Sequence, residues 1–97
     1  MRLEWTPSAR SDLANHFYYI AATNFDAAID QEDRITAAVE RLTAYPMLGR
    51  QGRWGQTREL VVPRTPYLVI YRLLPDAVEL LRIIHGAQDW PPEEGPP

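Results

Sequence analysis

The apolar period of this chain changes once, and that change constrains the fold more than any other feature. In the first half, apolar residues recur at helical spacing. After a stretch punctuated by Pro46, Gly49, Gly52 and Gly55, they recur at alternate positions or in short β-branched runs. Helical stripes and strands each leave a face that must be covered, so a chain carrying both buries one against the other. The 97 residues suffice for one such domain and not for two. The expected architecture is therefore a two-layer α+β domain.

Leu3 and Trp5 alternate with Arg2 and Glu4, which predicts a short strand over 2–5. Thr6 is a good helix N-cap, and Pro7 suits a first turn where its missing N–H would be unpaired anyway. Leu13, Phe17 and Ile20, supported by Ala9 and Ala21, make one apolar stripe and predict a helix over 7–22. Thr23-Asn24 breaks it, and Asn24 can cap a second helix with Ala28, Ile35, Val39 and Leu42 as its stripe and Ala38 beside it. Asp26 and Asp30 come early in that helix and Arg34 and Arg41 late, an order that complements the helix dipole, and Asp30/Arg34 is a favourable i,i+4 pair. Pro46 restricts Tyr45 and predicts an end near Ala44. The short break makes the two helices an antiparallel hairpin. Residues 45–56 read as an exposed loop. Strands are predicted over 57–62, 67–74 and 78–85, forming a three-stranded antiparallel meander, the last apolar on both faces and so central and covered. The domain should run over 1–91. Trp90 should fold back over the sheet edge, and residues 92–97 should be disordered.

Composition narrows the function classes. A 45% hydrophobic and 24% charged chain is neither a disordered tail, a collagen nor a coiled coil. With no cysteine there is no disulfide, thiolate or Cys-based zinc chemistry, and with His16 and His85 far apart in sequence no metal site is expected. No cofactor is expected either. No apolar stretch is long enough to span a membrane, and an acid stands where a secretory leader keeps its apolar core, so a reducing cytoplasm is the expected location.

The net charge of −3 hides an uneven distribution. All the basic residues are arginines, and Arg50, Arg53, Arg58, Arg64 and Arg72 make the middle of the chain cationic against the single acid Glu59. Such a block is either a solvated surface or a local partner site. The chain as a whole lacks the basic excess of a dedicated nucleic-acid binder, so sequence-specific DNA binding is not expected.

No nucleophile elbow, paired metal-binding histidines or phosphate-cradling loop is present. The run from Gly49 to Gly55 is glycine-rich, but it follows a helix and precedes a strand, the wrong order for anion binding at a helix N-terminus. His85 ends the last expected strand. It could serve as a general base for RNA cleavage, with Arg64 and Arg82 steadying phosphate charge and Glu59 as proton partner, or it could be a strand-end histidine bonded to backbone. His16, between Leu13 and Phe17, reads as a helix-flank packing residue. Tyr18 and Tyr19 cannot both face the sheet from adjacent positions, so at least one is exposed where a partner could dock.

Several segments in order resemble the RelE/ParE superfamily of toxins from bacterial type II toxin–antitoxin pairs. They are Trp5-Thr6-Pro7-Ser8-Ala9, Tyr19-Ile20-Ala21, Asn24-Phe25-Asp26-Ala27-Ala28, Tyr45-Pro46-Met47-Leu48-Gly49-Arg50, Thr57-Arg58-Glu59-Leu60-Val61, Pro66-Tyr67-Leu68-Val69-Ile70-Tyr71-Arg72, and the run from Leu81 to Pro91. The resemblance implies an N-terminal strand, a helical hairpin and a meander joined in one sheet. RelE-like members are ribosome-dependent mRNA interferases that use basic residues and a tyrosine or His-Tyr pair near the C-terminus, whereas here no lysine is present and no tyrosine follows His85. The His-Gly-x-x-Asp-Trp ending, His85 to Trp90, looks like ParE-type members, which poison DNA gyrase. A role in plasmid stabilisation, gyrase as target and neutralisation by a ParD-like antitoxin in a heterotetramer or larger assembly are implied. The alternatives are a RelE-like endoribonuclease and an inert binding module.

On this reading Arg50, Arg53, Arg58 and Arg64 are the candidate target contacts, and Leu13, Tyr18, Tyr19, Arg72 and Arg82 the candidate antitoxin contacts. Arg72 and Arg82, inside strands, must reach solvent or pair with an acid such as Glu59 or Glu79. Arg50 and Arg53, in a loop, should be replaceable without loss of folding.

Overall fold

The computed structural model describes residues 1–86. The expected fold-back of Trp90, the domain boundary at 91 and the tail over 92–97 lie outside the described residues. The elements run β1 (Arg2–Trp5), α1 (Pro7–Ala21), α2 (Phe25–Arg41), β2 (Arg50–Gln51), β3 (Thr57–Val61), β4 (Tyr67–Leu73) and β5 (Ala77–His85). Both helix starts are capped as the residue types dictate: the Thr6 hydroxyl accepts from Ala9 N–H, and the Asn24 side chain accepts from Ala27 N–H. No helix of the described residues is long and apolar enough to cross a membrane.

The strands form one sheet in the order β1-β5-β4-β3-β2. β1 lies parallel to β5, and every other neighbouring pair is antiparallel. The sheet has one strand more than the sequence predicts. β2 lies inside the stretch read as a loop, because two residues are too few to display alternation; it exists through its pairing with β3, Arg50 opposite Glu59 and Gln51 opposite Arg58.

The helices cover one face of the sheet. Ala9, Ile35, Ala38, Val39 and Leu42 pack there against Val62, Tyr67, Val69, Tyr71, Val78, Leu80 and Ile83. A second, smaller cluster holds the buried Ile70 and Ile84 with Trp54, Leu68 and Leu81. β5 is therefore central and covered on both faces, as its composition implies. Its pairing with β4 slips by one residue: Ile70 faces Arg82 but Tyr71 faces Leu80. Leu81 is the extra residue of this bulge, which lets Leu80 and Ile83, three positions apart, enter the same core.

β1 flanks β5 only as far as Leu80. Beyond it, α1 supplies the missing neighbour. Asp12 accepts from Ile83 N–H at 2.9 Å, and His16 Nε2 meets the Ile83 carbonyl at 2.7 Å. A carbonyl oxygen only accepts, so Nε2 carries the hydrogen. Two side chains one helical turn apart thus satisfy both polar groups of a strand residue that pairs with β4 on one side and has no strand on the other. The same Asp12 carboxylate takes a two-pronged bond from Arg82, 2.7 Å from Nε and 3.1 Å from Nη2. Asp12→Ala is expected to lose about 2 kcal/mol, because it strands the Ile83 N–H and unpairs Arg82. Asp12→Asn, which keeps an acceptor, should lose clearly less. Denaturant unfolding of the two variants checks this, and equal losses would show that the Ile83 bond contributes nothing.

Candidate functional site

Two groupings of polar and aromatic residues emerge from this scaffold. The first is an open cleft of about 610 Å³ lined by His16, Tyr19, Ile20, Ala27, Gln31, Pro66, Tyr67 and His85. Tyr67 and His85 face each other across the β4/β5 ladder. Their rings meet edge-on at 5.7 Å, and His16 lies 4.6 Å from Tyr67 on the α1 side. The two histidines, 69 positions apart in sequence, are thus brought to one aromatic ring. Periodicity could not have found this, since it depends on which strand end lies beneath which helix turn. Burial pushes the Tyr67 phenol above its usual range, with a smaller push from Tyr19, so it stays protonated at neutral pH. Among the described residues no group of His, Asp and Glu could hold a metal ion.

The second grouping surrounds Glu59, which is only 2% exposed. Its carboxylate accepts from Arg50 Nη2, from Arg53 Nε and from the Arg53 backbone N–H, each at 3.1 Å. Burial alone would raise the Glu59 carboxyl, but these donors outweigh it and hold it below the ordinary carboxylate range. Arg58 donates from Nη1 to the Gly49 carbonyl at 2.7 Å. Gly49 is itself buried and approached so closely that a Cβ there would lie 2.7 Å from Tyr71 Cε1.

The glycine-rich stretch is therefore not the free loop the sequence suggests. Arg50 and Arg53 remain about half-exposed, but both are tied to a buried acid, so the expectation that their replacement spares folding is corrected. The reason is β2, whose pairing sets Arg50 directly opposite Glu59.

The remaining candidates are dispersed. Arg72 pairs with Glu79 at 2.9 Å on the neighbouring strand, one of the acids expected for it. Arg82 pairs instead with Asp12, because α1 rather than another strand borders that part of β5. Arg64 stands at the opposite end of β3 from Arg50, Arg53 and Arg58. The groups considered for RNA cleavage are thus not brought together: Glu59 is held by Arg50 and Arg53, Arg82 by Asp12, and His85 lies beside Tyr67. Leu13 is half-buried against the core between the helices, where packing leaves no open volume. Tyr18 and Tyr19 are both exposed, at 71% and 83%, and Phe25 beside them at 60% makes this end of the helical hairpin an aromatic surface.

A model of the ParE toxin of type II toxin–antitoxin systems matches residues 3–90. The chain belongs to the ParE toxin family. It is 42% identical over 90 residues, 93% of each chain, to a Sinorhizobium fredii (strain NBRC 101917 / NGR234) protein named "Putative toxin Y4kP". It is also similar to a chain of the solved structure "Chromosomal ParDE TA system from P. aeruginosa", with a TM-score of 0.80 and 25% identity over 88% of this chain and 95% of that one. The two-layer α+β fold, five-stranded sheet included, is thus that of a ParE toxin, and the two groupings above are features of that fold.

Proposed function

We propose that this ParE-family toxin acts by protein–protein contact on DNA gyrase and is held inactive by a ParD-like antitoxin. The observation that carries the first part is the commitment of Glu59 and Arg82 to partners away from His85. A cleavage site at His85 would need an acid and a cation within hydrogen-bond reach of one substrate, and of the candidates Glu59 is held by Arg50 and Arg53, Arg82 is held by Asp12, and Arg64 lines a different groove beside α2. A net charge of −3 also suits a protein target better than a phosphate-coated ribosome. Target contact falls to the arginine-rich middle. The exposed sides of Arg50 and Arg53, with Arg58, form one cationic patch at the β2–β3 end, and Arg64 is a separate contact at the other end of β3.

The antitoxin reading draws on the similarity to a chain of the ParDE system and on the aromatic end of the hairpin. An amphipathic segment laid over the open cleft would cover Tyr19 and Ile20, with Tyr18 at the rim. Leu13 would support this surface from beneath, while Arg72 and Arg82 would act on it by holding the sheet in shape. An antitoxin that dimerises would give an assembly with at least two copies of each chain.

Purified protein should inhibit gyrase supercoiling, and His85→Ala should retain that inhibition within a few-fold. A ribonuclease would instead lose about 10²–10⁴ in rate on removal of its acid/base. Codon-phased mRNA cleavage with ribosomes, abolished by His85→Ala, with supercoiling untouched would overturn the gyrase reading.

A further inference from the structure

Arg34, Ala37, Ala38 and Arg41 lie at i, i+3, i+4 and i+7 on α2 and so share one helix face. Together with Pro63 and Arg64 from the β3–β4 turn they line a groove of about 200 Å³. Its floor is apolar and three guanidiniums ring it. Only one of these is engaged, and only in part: Arg34 Nε donates to Asp30 at 2.8 Å. The guanidiniums of Arg41 and Arg64 have no hydrogen bond or ion pair among the described residues. Arg64 reaches the groove from a left-handed backbone conformation, φ 60°. That conformation costs an L-residue roughly 1–2 kcal/mol, and asparagine or glycine would hold it with less strain. Asp30 is held below its ordinary range, first by the hydrogen bond from Arg34, with a lesser contribution from Arg64.

We propose that this groove binds an acidic segment of a protein partner, a carboxylate seated among Arg34, Arg41 and Arg64 with an adjacent apolar side chain on Ala37, Ala38 and Pro63. The site is distinct from the cleft at His85 and from the patch around Glu59, and it does not depend on gyrase being the target. Charge complementarity selects a carboxylate, since planar guanidiniums match it with paired donors. The setting disfavours a nucleic acid. α2 carries Asp26, Asp30, Glu32, Asp33 and Glu40 along the same helix, and a strand with a phosphate at every step would meet them, whereas a single side chain would not.

Arg64→Asn separates charge from backbone, because asparagine tolerates the left-handed turn but brings no cation. The probes are an acetylated Leu-Glu-Glu-Leu peptide, its Leu-Gln-Gln-Leu counterpart and a short oligothymidylate, titrated into the full chain while the arginine Nε–Hε resonances are followed. The glutamate peptide should shift Arg34, Arg41 and Arg64 and weaken with salt. The glutamine peptide should bind at least about tenfold more weakly. Arg64→Asn should weaken the glutamate peptide about tenfold with a melting temperature no lower than that of the natural protein. No shift with the glutamate peptide, equal binding of the glutamine peptide, or stronger binding of the oligonucleotide at these resonances would each overturn the proposal. Arg64 is also a proposed target contact, so supercoiling inhibition by the natural protein is measured separately and decides the gyrase reading independently of these peptide titrations.

Discussion

Tyr71→Phe should lower stability by about 2–4 kcal/mol, although it removes a single oxygen. The Tyr71 hydroxyl donates to the Pro46 carbonyl at 2.7 Å and accepts from the Gly49 N–H at 2.8 Å, and the side chain is fully buried. Losing it leaves a donor and an acceptor unpaired where water has no ready access, at roughly 1–3 kcal/mol each. For a domain of this size that corresponds to a fall in melting temperature of roughly 10–25 °C. Burial holds the phenol above its usual pKa despite the Gly49 bond, so it is a neutral donor throughout the physiological range and the effect should not vary with pH there. Gly49 shares the site, and Gly49→Ala should be comparably harmful, since its Cβ would be driven into the tyrosine ring. Calorimetry of both variants checks the pair. A fall of under about 3 °C for Tyr71→Phe would mean that water replaces the hydroxyl.

Arg53→Glu is expected to cost about 2–3 kcal/mol. It removes two side-chain bonds to Glu59 and sets a second carboxylate beside a buried one. The loss should fall below the range for a fully buried pair, because Arg53 is half-exposed and its replacement can swing toward water. The Glu59 carboxyl has its folded pKa depressed, so its stabilising contribution is present above the unfolded value of about 4.3. It is lost as pH falls through the folded value below that. The gap in melting temperature between the natural protein and Glu59→Gln should therefore be largest near neutrality and close on acidification below about pH 4. A gap that stays constant with pH would mean that the carboxylate charge contributes nothing at this site.

These two sites also show where the residues alone are informative. Period and capping chemistry locate β1, both helices and the last three strands, because those signals are local: Thr6 and Asn24 cap whatever helix follows them, and Pro63 ends a strand wherever it lies. Ala28, Ile35, Ala38, Val39 and Leu42 are all buried as the 3.6-residue stripe requires. The order of segments points to the RelE/ParE superfamily and the ending from His85 to Trp90 to its ParE branch, and the match to the ParE model bears that out. What the stripe could not contain was the destination of the arginines. The strand pattern suggests an acid across the sheet for Arg82, which instead meets Asp12, 70 positions away on α1. Arg50 and Arg53 read as loop cations and prove to hold Glu59.

The residues by themselves determined the two-layer architecture, the element types and the family, since each rests on propensities and spacings carried within a few neighbouring positions. Tertiary structure alone decided the two-residue β2, the bulge at Leu81, the meeting of His16 and His85 at Tyr67, and the groove among Arg34, Arg41 and Arg64. Each of these arises where distant segments share a register or a crossing. A polar side chain's partner is set by which backbone passes within about 3 Å of it, and no spacing along the chain encodes that distance.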